Sequence, residues 1–403
     1  MLTREDVLAA RERVAETARH TPLERSYSIS DVTGAAVHLK YETFQRTGSF
    51  KIRGATNRIA TLTEEEQAAG VVAASAGNHA QGVALAATRM GVDATIVMPE
   101  HAPVSKVNAT RSYGGNVVLH GQDYDEAAAR AHEIEREEGQ TFVHAFDDPA
   151  VMAGQGTLGL EIAADLPEVD TVVVSVGGGG LISGVATALK GLDPDIRVIG
   201  VQAEGAASLP QSLEKGEIVE REAVDTIADG IATRKVGEQP FAVIQKRVDE
   251  VVTVSDSDIA VALMTLLERT KTLVEGAGAA PVAALLDGKF DYGDGETIVP
   301  ILSGGNIDLN LLTTVIMRGL IETGRFLRIQ TVLEDHPGAL GRLVNVVSAH
   351  QGNVYAIEHD RASSNVAMDD AEVHLDIETR SPAHVEELLD ALGDHGYEVE
   401  VLV

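Results

Sequence analysis

The sequence predicts an α/β protein with parallel sheets, followed by a smaller ferredoxin-like unit. Over most of the chain, short apolar or β-branched runs alternate with alanine-rich helical stretches, which is typical of parallel α/β architecture. After residue 325 the order of elements becomes βαββαβ, the arrangement of a ferredoxin-like unit. At about 100–200 residues per domain, the length of 403 residues suggests two or three domains.

The α/β part contains strand candidates that are apolar enough to be buried on both faces. They are the runs 70–75, 93–99, 115–121, 171–177, 197–202 and 297–305. Helices are predicted over 78–91 and 123–139. In the C-terminal part, 325–361 predicts strand, turn, helix and strand, 368–380 predicts a strand, and 381–403 predicts a helix and a strand.

Composition and charge exclude several classes of function. The chain has no cysteine, so it has no disulfide, no thiolate nucleophile and no cysteine metal ligand. Its net charge of −30 disfavours nucleic acid and anionic membranes as partners. We interpret it as an adaptation to high salt, and an unusually acidic mesophilic protein is the alternative. No apolar run reaches the length of a membrane span, and the N-terminus lacks the apolar core of a signal peptide. A cytoplasmic protein is therefore expected.

Four glycines at 177–180 follow the strand that ends at Val176 and precede a helix that starts near Leu181. Glycines let the backbone approach a ligand closely, and a helix N-terminus offers free N–H groups, so the expected ligand is a phosphate. A dinucleotide fingerprint would need a further glycine at Ile182 or Ser183, and the lysine of a Walker motif is absent. The alternative is a plain turn between strand and helix.

Two further loops follow predicted strands. In "SAGNHAQG", residues 75–82, the N–H groups could bind a carboxylate and the Asn78 amide a second acceptor; alternatively, Ser75 or Asn78 only caps the helix. An isolated histidine such as His79 is interpreted as a structural residue rather than as a catalytic base. The third loop, "SGGN" at 303–306, ends the last apolar strand. Because ligands of open parallel sheets bind beyond the carboxyl ends of the strands, the three loops predict one shared cleft.

Lys51 stands among small residues in "TGSFKIRGA", with no acidic residue near it along the chain. Beside a phosphate site, such a lysine could form a Schiff base with a phosphorylated aldehyde, because desolvation lowers the pKa of the amine and frees it for attack. The alternative is an ordinary solvated lysine on the surface.

Together these segments resemble the fold-type II pyridoxal-phosphate enzymes, which share the fold of the tryptophan synthase β subunit. Within them the chain is similar to the threonine dehydratase family, with the serine racemases as close relatives. The matching motifs, in the family's order, are "TGSFKIRGA", "SAGNHAQG", "SVGGGGLISG", "IADGI" and "ILSGGNIDLN", and the likeness covers residues 5–325. The run "LEDHPGALGRLVNVVSAHQGNV" resembles an ACT regulatory domain.

The resemblance implies two catalytic residues. Lys51 forms the Schiff base with pyridoxal 5′-phosphate, and Ser303 hydrogen-bonds the pyridine nitrogen. The residues implied to contact the cofactor are Phe50, Lys51, Asn78, Gly177, Gly178, Gly179, Gly180, Leu181, Gly230 and Ser303. Those implied to bind the substrate carboxylate are Ser75, Gly77, Asn78 and His79. Those implied to bind an effector in the ACT-like domain are Gly338, Leu340 and Asn353.

The resemblance also implies three domains. Residues 1–47 and 146–325 form a large cofactor-binding α/β domain, 48–145 a small inserted α/β domain, and 326–403 the ACT-like domain. ACT-like units pair and bind an amino acid between them, and isoleucine is the first candidate; a purely structural dimerisation module is the alternative. A homodimer or homotetramer is expected.

The activity that the resemblance implies is the conversion of L-threonine to 2-oxobutanoate and ammonia by β-elimination of water, as in isoleucine biosynthesis. The alternatives are a serine dehydratase or serine racemase of the same family, and a catalytically inert amino-acid sensor. Serine racemases carry a proton-transferring serine where this chain has Ala76, which disfavours racemisation. Gln202 and Ser208 stand where the racemases have metal-binding carboxylates, so no metal is expected, although a two-residue shift of the alignment would return Glu204.

Overall fold

The computed structural model describes residues 1–361, 367 and 369–402, which form two compact units, one spanning 1–308 and the other beginning at residue 309. The domain limits inferred from the sequence, at 47/48, 145/146 and 325/326, stay predictions. No described helix is both long enough and apolar enough to cross a membrane.

The strands of the N-terminal unit form two sheets. They are β1 (Leu23–Arg25), β2 (Ala36–Tyr41), β3 (Val71–Ala74), β4 (Ala94–Met98), β5 (Asn116–Leu119), β6 (Thr141–Phe142), β7 (Thr171–Ser175), β8 (Arg197–Ala203), β9 (Glu250–Val254) and β10 (Thr297–Leu302). One sheet has six strands in the order β1-β2-β10-β7-β8-β9, and the other has four in the order β5-β4-β3-β6. Apart from β1, which is antiparallel to β2, the paired strands are parallel.

Helices connect these strands. They are α1 (Arg4–Val14), α2 (Tyr27–Thr33), α3 (Lys51–Ala60), α4 (Glu64–Ala69), α5 (Asn78–Met90), α6 (Val104–Ser112), α7 (Tyr124–Glu138), α8 (Pro149–Asp165), α9 (Gly180–Lys190), α10 (Leu209–Lys215), α11 (Glu238–Arg247), α12 (Asp256–Thr270) and α13 (Gly276–Leu286). The central strands β3, β4 and β7 are buried along their whole length. The two parallel sheets confirm the predicted α/β class.

The helices α8 and α9 pack in backbone contact, and this contact places the start of α9. A Cβ on Gly156 would lie 2.7 Å from the carbonyl oxygen of Gly184, and a Cβ on Gly184 would overlap the carbonyl oxygen of Met152. Only glycine permits this approach, because any side chain would force the two helices apart. The glycine run at 177–180, whose last residue opens α9, is thereby fixed against the neighbouring structure.

A buried cluster of charged side chains anchors α3. The guanidinium of Arg53 contacts Glu42 Oε1 at 2.8 Å and Glu161 Oε1 at 2.6 Å, and Lys40 Nζ contacts Glu161 Oε2 at 2.8 Å. Lys40, Glu42 and Arg53 have no exposed surface. The cluster joins β2, α3 and α8, and Arg53 lies only two residues beyond Lys51. Buried ion pairs of this kind hold elements in a fixed arrangement, since breaking one leaves an uncompensated charge.

The C-terminal unit contains α14 (Leu309–Glu322), β11 (Phe326–Glu334), α15 (Ala339–Ala349), β12 (Asn353–Asp360), β13 (Asp370–Glu378), α16 (Pro382–Asp394) and β14 (Val399–Val401). The strands form an antiparallel sheet in the order β12-β13-β11-β14. Residues from β11, β13, α15 and α16 share one hydrophobic core. From β11 onward the order is βαββαβ, as predicted. Met368, the first residue of the predicted strand 368–380, and Val403 lie outside the described residues.

Candidate active site

Three of the predicted site residues open helices of the N-terminal unit, and a fourth helix begins next to them. Lys51 opens α3, Asn78 opens α5, Gly180 opens α9 and Gly276 opens α13. The first N–H groups of a helix have no partner within it and carry a partial positive charge. Side-chain and loop contacts link these helix starts, so the region suits an anionic ligand.

Lys51 is half-buried, and its partner is a carbonyl group rather than a carboxylate. Its Nζ donates to the carbonyl oxygen of Ala145 at 2.9 Å and lies 5.1 Å from the ring centre of Phe50. Burial lowers the pKa of the amine to about 8, and the carboxylate of Glu275 acts in the opposite direction. This environment differs from that of a solvated surface lysine and keeps a usable fraction of the amine neutral near neutral pH.

The segment 143–147 links Lys51 to the loop before α5. The carbonyl oxygen of Ala145 accepts from Lys51, and two residues earlier the carbonyl oxygen of Val143 lies 2.8 Å from Nε2 of His79. One short piece of backbone therefore fixes the cofactor-lysine candidate and one of the substrate-loop candidates.

The glycine run forms a tight cradle at the start of α9. Gly179 caps the helix with a φ of +91°, a left-handed conformation that favours glycine. A Cβ on Gly178 would overlap the ring of Phe146, and one on Gly180 would lie 2.9 Å from the Phe146 Cα. Of the hydrogen bonds that join described residues, none uses the N–H groups of residues 177–182. These N–H groups are available to a phosphate.

Leu181 offers a backbone group to this cradle, whereas Gly230 lies in a loop that packs beside it. The side chain of Leu181 is buried in the hydrophobic core, so its backbone N–H is the group that it offers to a ligand. A Cβ on Gly177 would lie 3.0 Å from the Cα of Ile231, and one on Gly230 would lie 2.9 Å from the Cβ of Ala277. The loop around Gly230 therefore packs closely between the glycine run and the start of α13.

Asn78 belongs to a hydrogen-bonded chain. Its Nδ2 donates to Glu275 Oε1 at 2.8 Å, and its Oδ1 accepts from Asn306 Nδ2 at 2.7 Å. Asn306 Nδ2 also donates to the carbonyl oxygen of Thr47 at 2.7 Å, in the loop that leads to Lys51. Burial raises the pKa of Glu275, while the hydrogen bond from Asn78 lowers it. The structure thus brings together the loops before α3, α5 and α13 and after β10.

The loop before α5 leaves backbone donors free. Gly77 occupies the N-cap position of α5 and no side chain caps this helix, so the alternative that Ser75 or Asn78 acts as a cap is wrong. Ser75 Oγ instead accepts the N–H of Gly77 at 3.2 Å. Among the described residues, no hydrogen bond uses the N–H groups of 78–80, which suits the binding of a carboxylate.

His79 is held by the backbone as a neutral ring. Burial lowers its pKa to about 3, and the charge of Lys51 adds to this effect. Its Nε2 bonds to Val143, and its Nδ1 is buried without a partner among the described residues. Because the ring is neutral and fixed, the structural role inferred from the sequence is favoured over the role of a catalytic base.

Ser303 lies at the end of β10, next to the start of α3. Its side chain is buried, with Ser175 Oγ donating to its Oγ at 3.4 Å, and its carbonyl oxygen accepts the N–H of Phe50 at 3.1 Å. Ser49 and Gly304 form a further backbone bridge between the same two segments. The structure therefore brings the Ser303 hydroxyl into the neighbourhood of Lys51.

Glu275 is a site residue that the sequence analysis missed. It is the single acid in the run "VEGAGAA" at 274–280, which otherwise consists of small and apolar residues. An isolated carboxylate directly before an apolar, glycine-rich helix is a signal that could have been used, because such a group needs a polar partner when it is buried.

The two positions compared with a racemase metal site, Gln202 and Ser208, are both buried. Gln202 Nε2 donates to the carbonyl oxygen of Val176 at 3.3 Å, and its Oε1 accepts the N–H of Leu209 at 2.8 Å. The Ser208 hydroxyl is buried and has no partner among the described residues. Within the described part of the chain, no group of three or more histidine, cysteine, aspartate or glutamate side chains is arranged to hold a metal ion.

The predicted effector residues lie in the C-terminal unit. Gly338 caps α15 with a φ of +90°, and Leu340 packs against the core of this unit. Asn353, at the start of β12, donates from Nδ2 to Glu378 Oε2 at 2.6 Å. The structure places these residues on two neighbouring segments of the unit, and their part in effector binding stays a prediction.

The geometry of the N-terminal unit fits pyridoxal phosphate as a ligand. Free N–H groups and a cradle too tight for side chains suit its phosphate, and the desolvated amine of Lys51 suits its aldehyde. A model of the pyridoxal-phosphate dependent enzymes matches residues 14–304. The chain belongs to this family, and its cofactor is pyridoxal phosphate.

The relatives narrow the comparison. The chain is 48% identical over 402 residues to the L-threonine ammonia-lyase of Thermotoga maritima, covering 100% of both chains. It matches the processed form of threonine deaminase isoform 2 from Solanum lycopersicum with a TM-score of 0.76 and 42% identity, covering 78% of this chain and 91% of that one. Maize serine racemase matches with a TM-score of 0.75 and 36% identity, covering 79% and 98%.

Proposed function

We propose that this protein is a pyridoxal-phosphate dependent L-threonine ammonia-lyase, which eliminates water from L-threonine and releases an enamine that water then converts to 2-oxobutanoate and ammonia. The observation that carries this proposal is the 48% identity over the full length of an L-threonine ammonia-lyase. Among the alternatives, maize serine racemase matches 79% of this chain at 36% identity, a weaker likeness than that of the ammonia-lyase.

The residues that would hold the cofactor follow from the site. The N–H groups of 177–182 would bind the phosphate, Phe50 would pack beside the ring, Asn78 would hydrogen-bond the ring hydroxyl and Ser303 the pyridine nitrogen. When bound, pyridoxal phosphate supplies an aldehyde that captures amines and a ring that accepts electrons from the carbon next to that amine.

The residues of the chain then supply binding and proton transfer. The N–H groups of 78–80 bind the substrate carboxylate and orient the substrate, and Phe50 shields one side of the site. The neutral amine of Lys51 removes the proton from the substrate Cα, which its lowered pKa permits near neutral pH. The hydroxyl of Ser303 does not enforce a positive charge on the pyridine nitrogen as a carboxylate would, which favours prompt loss of the β-hydroxyl over transamination.

Ala76 limits the reaction to one face of the substrate. It lies between Ser75 and Gly77 in the loop before α5 and carries no exchangeable proton. Racemisation needs a second proton-transferring group, so elimination is the expected outcome. A methyl group is worth about 1–3 kcal/mol of discrimination, so some activity toward L-serine is expected beside that toward L-threonine.

The deciding experiment measures keto-acid release from L-threonine, L-serine and D-serine, together with the absorbance of the bound cofactor. L-threonine should give the highest kcat/KM. Lys51→Ala should abolish turnover and change the cofactor absorbance, with Lys215→Ala, at an exposed position, as the control. Full turnover in Lys51→Ala would refute this function, and a wild-type protein that binds cofactor without turnover would favour the inert sensor.

The C-terminal part completes the proposal. We infer that 326–403 is an ACT regulatory domain that binds an amino acid through Gly338, Leu340 and Asn353, with isoleucine as the effector of an isoleucine-biosynthetic enzyme. The protein is proposed to be a cytoplasmic homodimer or homotetramer whose acidic surface suits high salt. Activity titrated with isoleucine, valine and serine tests the regulation, and light scattering across salt concentrations tests the assembly. A flat response to all three amino acids would favour a structural module.

A further inference from the structure

The amide of Asn78 has a fixed direction. The carbonyl oxygen of Thr47 can only accept, so the Nδ2 of Asn306 must face it, and the same Nδ2 supplies the hydrogen that Asn78 Oδ1 accepts. Turning the Asn78 amide around would set Nδ2 against Nδ2 at Asn306 and oxygen against oxygen at Glu275. One of the two hydrogens on Asn78 Nδ2 goes to Glu275 Oε1, and the other is left for a ligand.

The carboxyl of Glu275 is itself fixed in place. Its backbone N–H donates to the carbonyl oxygen of Gly304 at 3.0 Å, and the backbone N–H of Asn306 bonds to its carboxyl group. A Cβ on Gly304 would lie 2.5 Å from Glu275 Oε1, and a Cβ on Gly230 would lie 3.3 Å from it. The two glycines therefore make room for this carboxyl, which explains part of the glycine content of both loops.

Three charged side chains of the described residues interact with Glu275. Lys106 and Lys51 carry positive charge toward it, and Asp229 carries negative charge. Lys51 in turn acts on the rings of His79 and His144 and lowers the pKa of each, after the larger effect of burial. Glu275 is thus the carboxylate that acts on the Lys51 amine, without direct contact between them.

We propose that Glu275 is a positioning residue of the active site, which orients Asn78 so that its remaining N–H is offered to the ring oxygen of the cofactor. Its negative charge also favours a proton on the Lys51 nitrogen. The inference rests on the proposed function, because it takes Asn78 and Lys51 as the residues that meet the cofactor.

The test compares Glu275→Leu, Glu275→Gln and Asn78→Ala in the full chain, with Glu214→Gln, at an exposed acid, as the control. Cofactor affinity is measured by equilibrium dialysis and folding by circular dichroism. Glu275→Leu should weaken cofactor binding by about tenfold or more, since a hydrogen bond to a charged group is lost. Glu275→Gln keeps an oxygen that accepts from Asn78 and should stay within about threefold of wild type.

Two further readouts separate positioning from simple loss of structure. The double variant of Glu275→Leu with Asn78→Ala should bind cofactor no more weakly than Asn78→Ala alone, because Glu275 acts through Asn78. In Glu275→Gln, the pH midpoint for reaction of Lys51 with an amine reagent should fall, whereas a merely structural role would leave it unchanged. Additive losses in the double variant, or wild-type affinity and midpoint in Glu275→Leu, would overturn the proposal.

The outcome is distinguishable from a failure of the proposed function. If Lys51→Ala abolishes turnover while the Glu275 variants behave as wild type, only the role of Glu275 is refuted. If Lys51→Ala is fully active, the function itself fails, whatever the Glu275 variants show.

Discussion

The neutral fraction of the Lys51 amine in the cofactor-free protein is a measurable consequence of its burial. A lysine with a pKa of 10.5 has about one neutral amine in 3,000 at pH 7, whereas a pKa of about 8 gives about one in ten. The amine of Lys51 should therefore react with a reagent for neutral amines about 300-fold more readily than an equally accessible amine with a pKa of 10.5. The difference between the two pKa values corresponds to about 3 kcal/mol of disfavoured charge.

Reductive methylation at a series of pH values, read by peptide mass spectrometry, measures this titration. Exposed Lys215 serves as the internal reference for reagent decay. The rate constant for methylation of Lys51 itself, at a known reagent concentration, should rise with pH and level off above about pH 8. A midpoint near 10.5 would show that burial does not perturb the amine and would refute this reasoning.

The lowered pKa of Lys51 also makes the stability of the folded protein depend on pH. Below about pH 8 the amine is charged in both states, and the folded protein carries the full cost of burying it. Between about pH 8 and 10.5 the unfolded chain binds more protons at Lys51 than the folded chain does. Stability from this group should therefore rise with pH across that window, by up to about 3 kcal/mol.

Three other substitutions test the site and its support. Gly178→Ala should weaken cofactor binding by about tenfold or more in equilibrium dialysis, because its Cβ overlaps the Phe146 ring; Gly393→Ala, at an open position, is the control, and equal affinities would contradict the tight cradle. Arg53→Met should lower the free energy of unfolding in urea by about 3–5 kcal/mol, since it leaves Glu42 without its buried ion-pair partner and Glu161 with Lys40 alone, and an unchanged midpoint would show that the guanidinium contributes nothing. Ala76→Ser should produce D-serine from L-serine, detected by chiral chromatography; a variant that gives no D-serine would show that this position does not face the substrate Cα.

Much of the fold could be predicted because its signals are local. The apolar runs at 70–75, 93–99 and 171–177 contain β3, β4 and β7, whose burial on both faces is what makes them apolar. The short strand β6, Thr141–Phe142, was missed because two residues carry no periodicity and only pairing with β3 makes them a strand.

The site divides in the same way. Lys51 and the glycine run stand out in the sequence, because their chemistry is visible in neighbouring residues. Glu275 is hydrogen-bonded to Asn78, 197 positions away in the sequence, and no local sequence pattern predicts that contact. The roles of the individual site residues stay predictions, which the substitutions above address.

The buried ion pairs around Arg53 respond to salt differently from the charges on the surface of the protein. Dissolved ions surround the acidic exterior and attenuate its repulsion, but they do not penetrate to charges that water does not reach. Salt concentration should therefore alter how copies of the protein repel each other or associate, while the arrangement of β2, α3 and α8 around Lys51 stays the same. A change in salt concentration should therefore alter the solubility of the protein at concentrations that leave the arrangement of its active-site residues unchanged.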